Sequence, residues 1–179
     1  MASVGRPGIC PDIQTTWREI KRRNRQAKQQ QLKVYHRSLT VEWETPQSFF
    51  EVYHAEFGFT LDVAAQPGNA KCARYFTPEE NGLAQPWIGV CWCNPPYGKT
   101  IGLWVAKAYE SALQGATVVC LLPVRTDTKW WQRYITPAVE VRFVPGRLTL
   151  GGAANPAPFP NAVVIFRPPS SAVSEQVRA

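Results

Sequence analysis

The residues best suited to do chemistry are Asn94-Pro95-Pro96-Tyr97, which follow directly on the apolar run Ile88 to Cys93. Two consecutive prolines cannot extend a sheet ladder, so a strand over that run must stop there. The stop leaves a rigid loop at a strand's carboxyl end. It presents an amide side chain, a backbone carbonyl and an aromatic ring. Together these offer two acceptors for an N–H2 group and a face for stacking, the parts needed to hold a planar, amino-bearing group. The plainer alternative is a strand-to-helix turn with Tyr97 as its capping aromatic. Other reactive types are sparse. Cys10, Cys72, Cys91, Cys93 and Cys120 are an odd set without paired CxxC spacing, which supports neither a disulfide framework nor a zinc site. Cys91 and Cys93 read as buried thiols on one side of a strand. His36 and His54 show no ligand spacing, and no metal is expected.

The surrounding sequence alternates strands and helices. Thr45-Pro46 before QSFFEVYHAEF reads as an N-cap and first turn of a helix that buries Phe49, Phe50, Tyr53 and Phe57, stopped by Gly58. FTLDVAA reads as a short buried strand entering a ligand loop, QPGNAKC as a turn, and IGVCWC as a second strand. A helix is predicted from about Thr100 to Leu113, with Gly115 as its stop. ATVVCLLP, VEVRFV and NAVVIF read as strands, residues 128–136 as a short helix, and GRLTLGGAANPAPFP as a hairpin arm and loop. This order predicts a predominantly parallel α/β sheet with helices on both faces, which binds ligands at the carboxyl ends of its strands.

The chain has 179 residues, 45% hydrophobic and 18% charged, the size of one globular domain rather than a disordered chain. No apolar run approaches the roughly 18 residues of a membrane span, and the N-terminus lacks a signal-peptide core. A cytoplasmic protein is therefore expected, with no membrane partner. Net charge is +7, and residues 1–40 hold nine Lys/Arg against Asp12 and Glu19. The body beyond residue 40 is balanced. A basic N-terminal arm over 1–40, a folded domain over 41–168 and a tail over 169–179 follow. The arm is either a solvated polar helix or a phosphate-contacting segment, since clustered cations attract polyanions.

Asn-Pro-Pro-Tyr resembles the motif of amino methyltransferases that use S-adenosylmethionine. The phrases TPQSFF, LDVAA, NAKCARYFT, NGL, VCWCNPPYG, LLPVRTDTKWW, VPGRLTL and NAVVIF narrow the match to the bacteriophage-type DNA N-6-adenine methyltransferase (Dam) family, over about Trp43 to Phe166. The resemblance implies a Rossmann-like fold in a minimal single domain, S-adenosylmethionine as cofactor, DNA as partner, and a bacterial host's cytoplasm. It implies catalysis by Asn94, Pro95, Pro96 and Tyr97: the Asn94 amide oxygen and Pro95 carbonyl accept from the adenine amine while Tyr97 stacks on the extruded base. Methylation of a protein glutamine or an RNA base, or a catalytically idle DNA-binding relative, are the alternatives.

The same resemblance assigns the cofactor to Thr45, Pro46, Asp62, Ala64, Ala65, Asn69, Asn81, Gly82 and Leu83. Thr45-Pro46 would hold the methionine portion, and Asp62 its ammonium, unless Asp62 is only a turn residue. Ala64 and Ala65 stand where the family carries glycines. Eighteen residues separate Asp62 from Asn81, too few for a helix-strand-helix unit, so the ribose has only Asn69, Glu79 or Glu80 as candidates. DNA contacts would come from Arg22, Arg23, Arg25 and Lys28 in the arm, and from Arg125, Asp127 and Trp130 after the central strand. Trp130 and Trp131 are equally readable as core.

Overall fold

The computed structural model describes Arg22 and residues 44–136, 140–151 and 155–169. Arg22 is helical and exposed. The rest of the basic arm, including Arg23, Arg25 and Lys28, lies outside the described residues, as does the tail from residue 170.

The described elements are α1 (Gln47–Phe57), β1 (Leu61–Asp62), β2 (Val90–Cys93), α2 (Ile101–Leu113), β3 (Thr117–Pro123), a π-helical turn (Trp131–Ile135), β4 (Glu140–Phe143) and β5 (Asn161–Phe166). The strands form one five-stranded mixed sheet in the order β1-β2-β3-β5-β4. β1, β2 and β3 pair in parallel, with Asp62 opposite Trp92 and Cys93 opposite Cys120. β5 runs antiparallel to both β3 and β4. β1 to β4 therefore run in one direction and β5 alone among the described strands is reversed, so the expected parallel pairing is interrupted at β5. A parallel link needs a crossover, usually a helix, and no helix is described between β4 and β5. The expected hairpin arm over GRLTL is likewise absent, since residues 146–150 form no strand.

Each face of the sheet carries an apolar layer. Cys91, Cys93, Val118, Cys120, Val164 and Phe166 pack with Ile101, Trp104, Val105 and Ala108 of α2 and with Trp131 and Ile135. Those α2 positions recur every three or four residues, the stripe of a helix lying on a sheet. The opposite layer joins Trp92, Val119, Leu121, Val163 and Ile165 to Phe50 and Phe59. Phe50 meets the Trp92 ring edge-on at 5.4 Å and Phe59 meets it at 5.2 Å. Aromatic burial of this kind is worth about 3–5 kcal/mol per side chain by truncation. The thiols are buried as expected: burial pushes the Cys91 thiol up to about 12 and raises Cys93 as well. Among the described residues no helix is long and apolar enough to cross a membrane, and no cluster suited to a metal occurs.

The start of α1 differs from expectation. Pro46 (φ −56°, ψ 136°) occupies the N-cap, the helix begins at Gln47, and no side chain caps it. The Pro46 carbonyl accepts from the amides of Phe49 and Phe50, both at 3.1 Å. Thr45 is therefore not the cap, and its hydroxyl is used elsewhere. Gly58 ends the helix in a left-handed conformation (φ 65°), where a side chain would be strained.

Candidate active site

Because β1, β2 and β3 are parallel neighbours, their carboxyl ends bring Asp62, Asn94 and the segment after Pro123 to one edge of the sheet. A cavity of about 320 Å³ opens there, within the size range of small-molecule sites. Thr45, Asp62, Ala64, Ala65, Asn69, Asn81, Gly82 and Leu83 all line it, together with Asn94 and Pro96. Eight of the nine residues assigned to the cofactor from sequence thus meet in one place, and Pro46 is the exception.

Asp62 sits at the end of β1 with 2% of its surface exposed. Its Oδ1 accepts from the Ala64 amide at 3.3 Å and its Oδ2 from the Lys71 amide at 3.0 Å. Burial raises its pKa to about 6, against those amide bonds and the Lys71 charge, which pull it down. The outer edge of β1 is covered by residues 74–76. Tyr75 bridges Asp62 in parallel, the Asp62 amide donates to the Arg74 carbonyl at 3.0 Å, and the Phe76 amide donates to the Asp62 carbonyl at 3.0 Å. The eighteen residues after Asp62 therefore do carry strand-like structure, although only a single bridge of it.

The next turn is built by Thr77 and Glu80. Glu80 accepts from the Thr77 amide at 2.8 Å, and the Thr77 hydroxyl accepts from the Glu80 amide at 3.4 Å, a reciprocal capping box. Thr77 lines the cavity, but Glu79 and Glu80 do not. Asn69 lines it too, yet its Oδ1 already accepts from the Gln66 amide at 2.7 Å.

Asn81 follows with a left-handed backbone (φ 53°). Gly82 has no room for a side chain: a Cβ there would stand 2.2 Å from the Val63 carbonyl oxygen and 3.2 Å from the Trp104 ring. The indole of Trp87 donates to the Gly82 carbonyl at 2.8 Å and stacks on Trp104 at 6.0 Å. Phe76, Leu83 and Trp104 give the cavity an apolar wall.

The amide of Asn94 donates through Nδ2 to the Thr45 hydroxyl at 3.0 Å. Tyr97 donates its hydroxyl to the Leu121 carbonyl at 3.0 Å and accepts from Asn161 Nδ2 at 3.3 Å. Its ring is half-buried and meets Phe159 edge-on at 5.5 Å. Burial raises its pKa, so the hydroxyl stays protonated and keeps donating. Tyr97 and Pro95 do not line the cavity. They lie beside it, on the loop that Asn94 opens.

Arg125, Asp127 and Trp130 follow β3 at the same sheet edge but are not part of the cavity lining. The Arg125 carbonyl accepts from the Thr128 amide and hydroxyl at 3.0 and 2.7 Å. Asp127 is exposed, Trp130 is half-buried beside Gly102, and Trp131 is core. Trp130 packs against the same core from its half-buried position.

Lys71 and Trp104 are lining residues that the sequence reading did not assign to the site. The Lys71 side chain is 8% exposed and pairs with Glu44 at 3.5 Å. Its place in the phrase NAKCARYFT was its one visible signal, because turn-like sequence around a lysine ordinarily means a solvated lysine. Trp104 falls on the apolar stripe of α2, where sequence cannot separate a core residue from a cavity wall.

The chain spans 61% and 46% of the lengths of two phage proteins that it matches. It is 35% identical over 105 residues, 57% of this chain, to the DNA N-6-adenine-methyltransferase of Haemophilus phage HP1 (strain HP1c1). It is 30% identical over 111 residues, 60% of this chain, to the DNA N-6-adenine-methyltransferase of Escherichia phage T1. The family model described as DNA N-6-adenine-methyltransferase (Dam) matches residues 29–171, which include every element described above, and the chain belongs to that family.

Proposed function

We propose that this protein methylates the exocyclic N6 of adenine in DNA, with S-adenosylmethionine as donor and the target adenine turned out of the duplex. The observation that carries the reading is the joining of Asn94 to the cavity wall through Thr45, at the carboxyl edge of three parallel strands. This places an amide acceptor beside a pocket of cofactor size. We read the sheet as Rossmann-like, since in such folds the ligand lies at the carboxyl ends of the strands.

The residues suit the cofactor. Gly82 brings no side chain to the lining, and a Cβ there would collide with Val63 and Trp104. Asp62 is a buried carboxylate matched to an ammonium, and Phe76, Leu83 and Trp104 provide apolar surface for a purine. When bound, S-adenosylmethionine supplies an electrophilic methyl group on a sulfonium. The chain's own residues do the rest. An adenine amine is a weak nucleophile because its lone pair is delocalised into the ring. The Asn94 Oδ1 and the Pro95 carbonyl accept its two N–H groups, which favours a pyramidal nitrogen and stabilises the positive charge that develops there. Prepositioned dipoles of this kind contribute about 3 kcal/mol each. With Nδ2 donating to Thr45, it is the acceptor end of the amide, Oδ1, that we assign to the substrate. The Tyr97 ring, pinned through its hydroxyl, offers the stacking face, worth about 1–3 kcal/mol per base. No strong base is needed, because the methylated ammonium releases its proton readily.

The test is a substrate panel. Labelled S-adenosylmethionine is supplied with unmethylated duplex DNA, single-stranded DNA, RNA and a glutamine-containing peptide. Label entering DNA supports the reading. Label entering only the peptide or RNA overturns it in favour of another amino methyl acceptor.

A further inference from the structure

We infer that Lys71 is the carboxylate-binding residue of the cavity, receiving the α-carboxylate of the methionine end while Asp62 receives its ammonium. This rests on the reading of the cavity as a cofactor site. Among the described residues lining the cavity, Lys71 is the one Lys or Arg. Its side chain is 8% exposed, although lysine is among the residues least often buried without a paired charge. The partners it has are modest. Its Nζ donates to Gln47 Oε1 at 3.2 Å and lies 3.5 Å from Glu44 Oε1, whose side chain is 47% exposed. A 3.5 Å pair whose carboxylate is half open to solvent is screened on that side and contributes modestly, so it does not by itself account for burying an ammonium.

The geometry around Lys71 explains more. Its backbone amide donates to Asp62 Oδ2 at 3.0 Å, so one short segment contributes a cation to the cavity and also holds the buried carboxylate. A carboxylate and an ammonium in the lining of one cavity are the complement of an α-amino-acid zwitterion, with opposite charges facing. Thr45 accepts from Asn94 and keeps its O–H to donate, so it can add a neutral hydrogen bond to the carboxylate, while the matching charge comes from Lys71. An ammonium has three donors, and a ligand carboxylate can take one beside Gln47 and Glu44.

Decarboxylated S-adenosylmethionine deletes only the carboxylate and keeps the ammonium, sulfonium and nucleoside. With Glu44 and Asp62 both in the lining, a wall without a working Lys71 would favour this more cationic compound. Binding of each compound to the full chain, without DNA, is measured by titration calorimetry on the wild type, on Lys71→Met and on Lys71→Gln, which guards against a fold defect of the first variant. The expected result is a wild-type preference for S-adenosylmethionine of about tenfold or more. Both variants should lose that preference through weaker binding of S-adenosylmethionine, and hold the decarboxylated compound within about twofold of wild type. Wild-type binding without discrimination overturns the role of Lys71 and leaves the cofactor reading standing. So does an equal loss of both compounds in both variants. Failure of the wild type to bind either compound overturns the cofactor reading itself.

Discussion

The side-chain amide of Asn94 donates to the hydroxyl of Thr45, 49 residues earlier in the chain, at 3.0 Å. Thr45 is 2% exposed, so water does not compete for that bond. The consequence is directional. A primary amide has a donor end and an acceptor end, and Thr45 engages the donor end. The segment before α1 thus orients the catalytic candidate on the loop after β2.

Replacing Asn94 with Ala should lower turnover on DNA by about two orders of magnitude or more, as loss of a transition-state dipole does. Cofactor affinity should change far less. Thr45→Val keeps the shape and removes the acceptor, so it should lower kcat by about tenfold, while Thr45→Ser stays near wild type. Steady-state kinetics on both residues checks this. A Thr45→Val enzyme with normal kcat would remove Thr45 from the orientation of Asn94.

Tyr97 carries two separable roles. Its hydroxyl joins Leu121 of β3 and Asn161 of β5, and Asn161 Oδ1 is buried without a hydrogen bond among the described residues. Tyr97→Phe therefore orphans a further buried polar group and should cost about 1–3 kcal/mol of stability in urea unfolding. It should lower turnover only mildly, because the stacking face is kept. Tyr97→Ala should lose both stability and turnover. Equal turnover defects in the two variants would mean that the hydroxyl, not the ring face, serves the reaction.

Asp62 makes the protein pH-sensitive in a stated direction. Its pKa is raised from 3.8 to about 6 by burial, so the folded state binds a proton that the unfolded chain has already released. Stability falls as pH rises from 3.8 to about 6 and stays lower above that, by about 3 kcal/mol. Asp62→Asn should abolish that slope. An ammonium ligand prefers the ionised carboxylate, so S-adenosylmethionine should bind about tenfold more weakly per pH unit below pH 6 and level off above it. Calorimetric affinities flat across that range would contradict the pairing.

The chemistry-bearing parts of the site were legible where they rest on local rules. Two prolines stop β2 after Cys93, and Gly58 and Gly115 end helices, whereas Ala64, Ala65 and Gly82 are assigned from the family resemblance. What escaped is long-range. The Thr45 hydroxyl, locally suited to cap α1, goes instead to a residue 49 positions away, and Pro46 takes the cap. Lys71 sits in turn-like sequence whose burial depends on α1 supplying Gln47 and on β1 supplying Asp62. The reversal of β5 follows from a helix-free connection, and apolar alternation reads the same in either direction.

Replacing Arg22, Arg23, Arg25 and Lys28 with Gln should weaken DNA binding and reduce the dependence of log K on log salt, by about 0.9 for each duplex phosphate that the arm no longer neutralises. S-adenosylmethionine binding and sequence preference should persist, since phosphate contacts position without specifying. A salt slope equal to that of the wild type would make the arm a solvated tail.

The central claim is tested most directly by the product. Unmethylated DNA is incubated with methyl-labelled S-adenosylmethionine and either the wild type or Asn94→Ala, then digested to nucleosides and separated. The account predicts label in N6-methyl-deoxyadenosine with the wild type and about a hundredfold less with Asn94→Ala at equal cofactor binding. Label in a methylated cytosine or guanine, or an Asn94→Ala enzyme that matches the wild type, would contradict it.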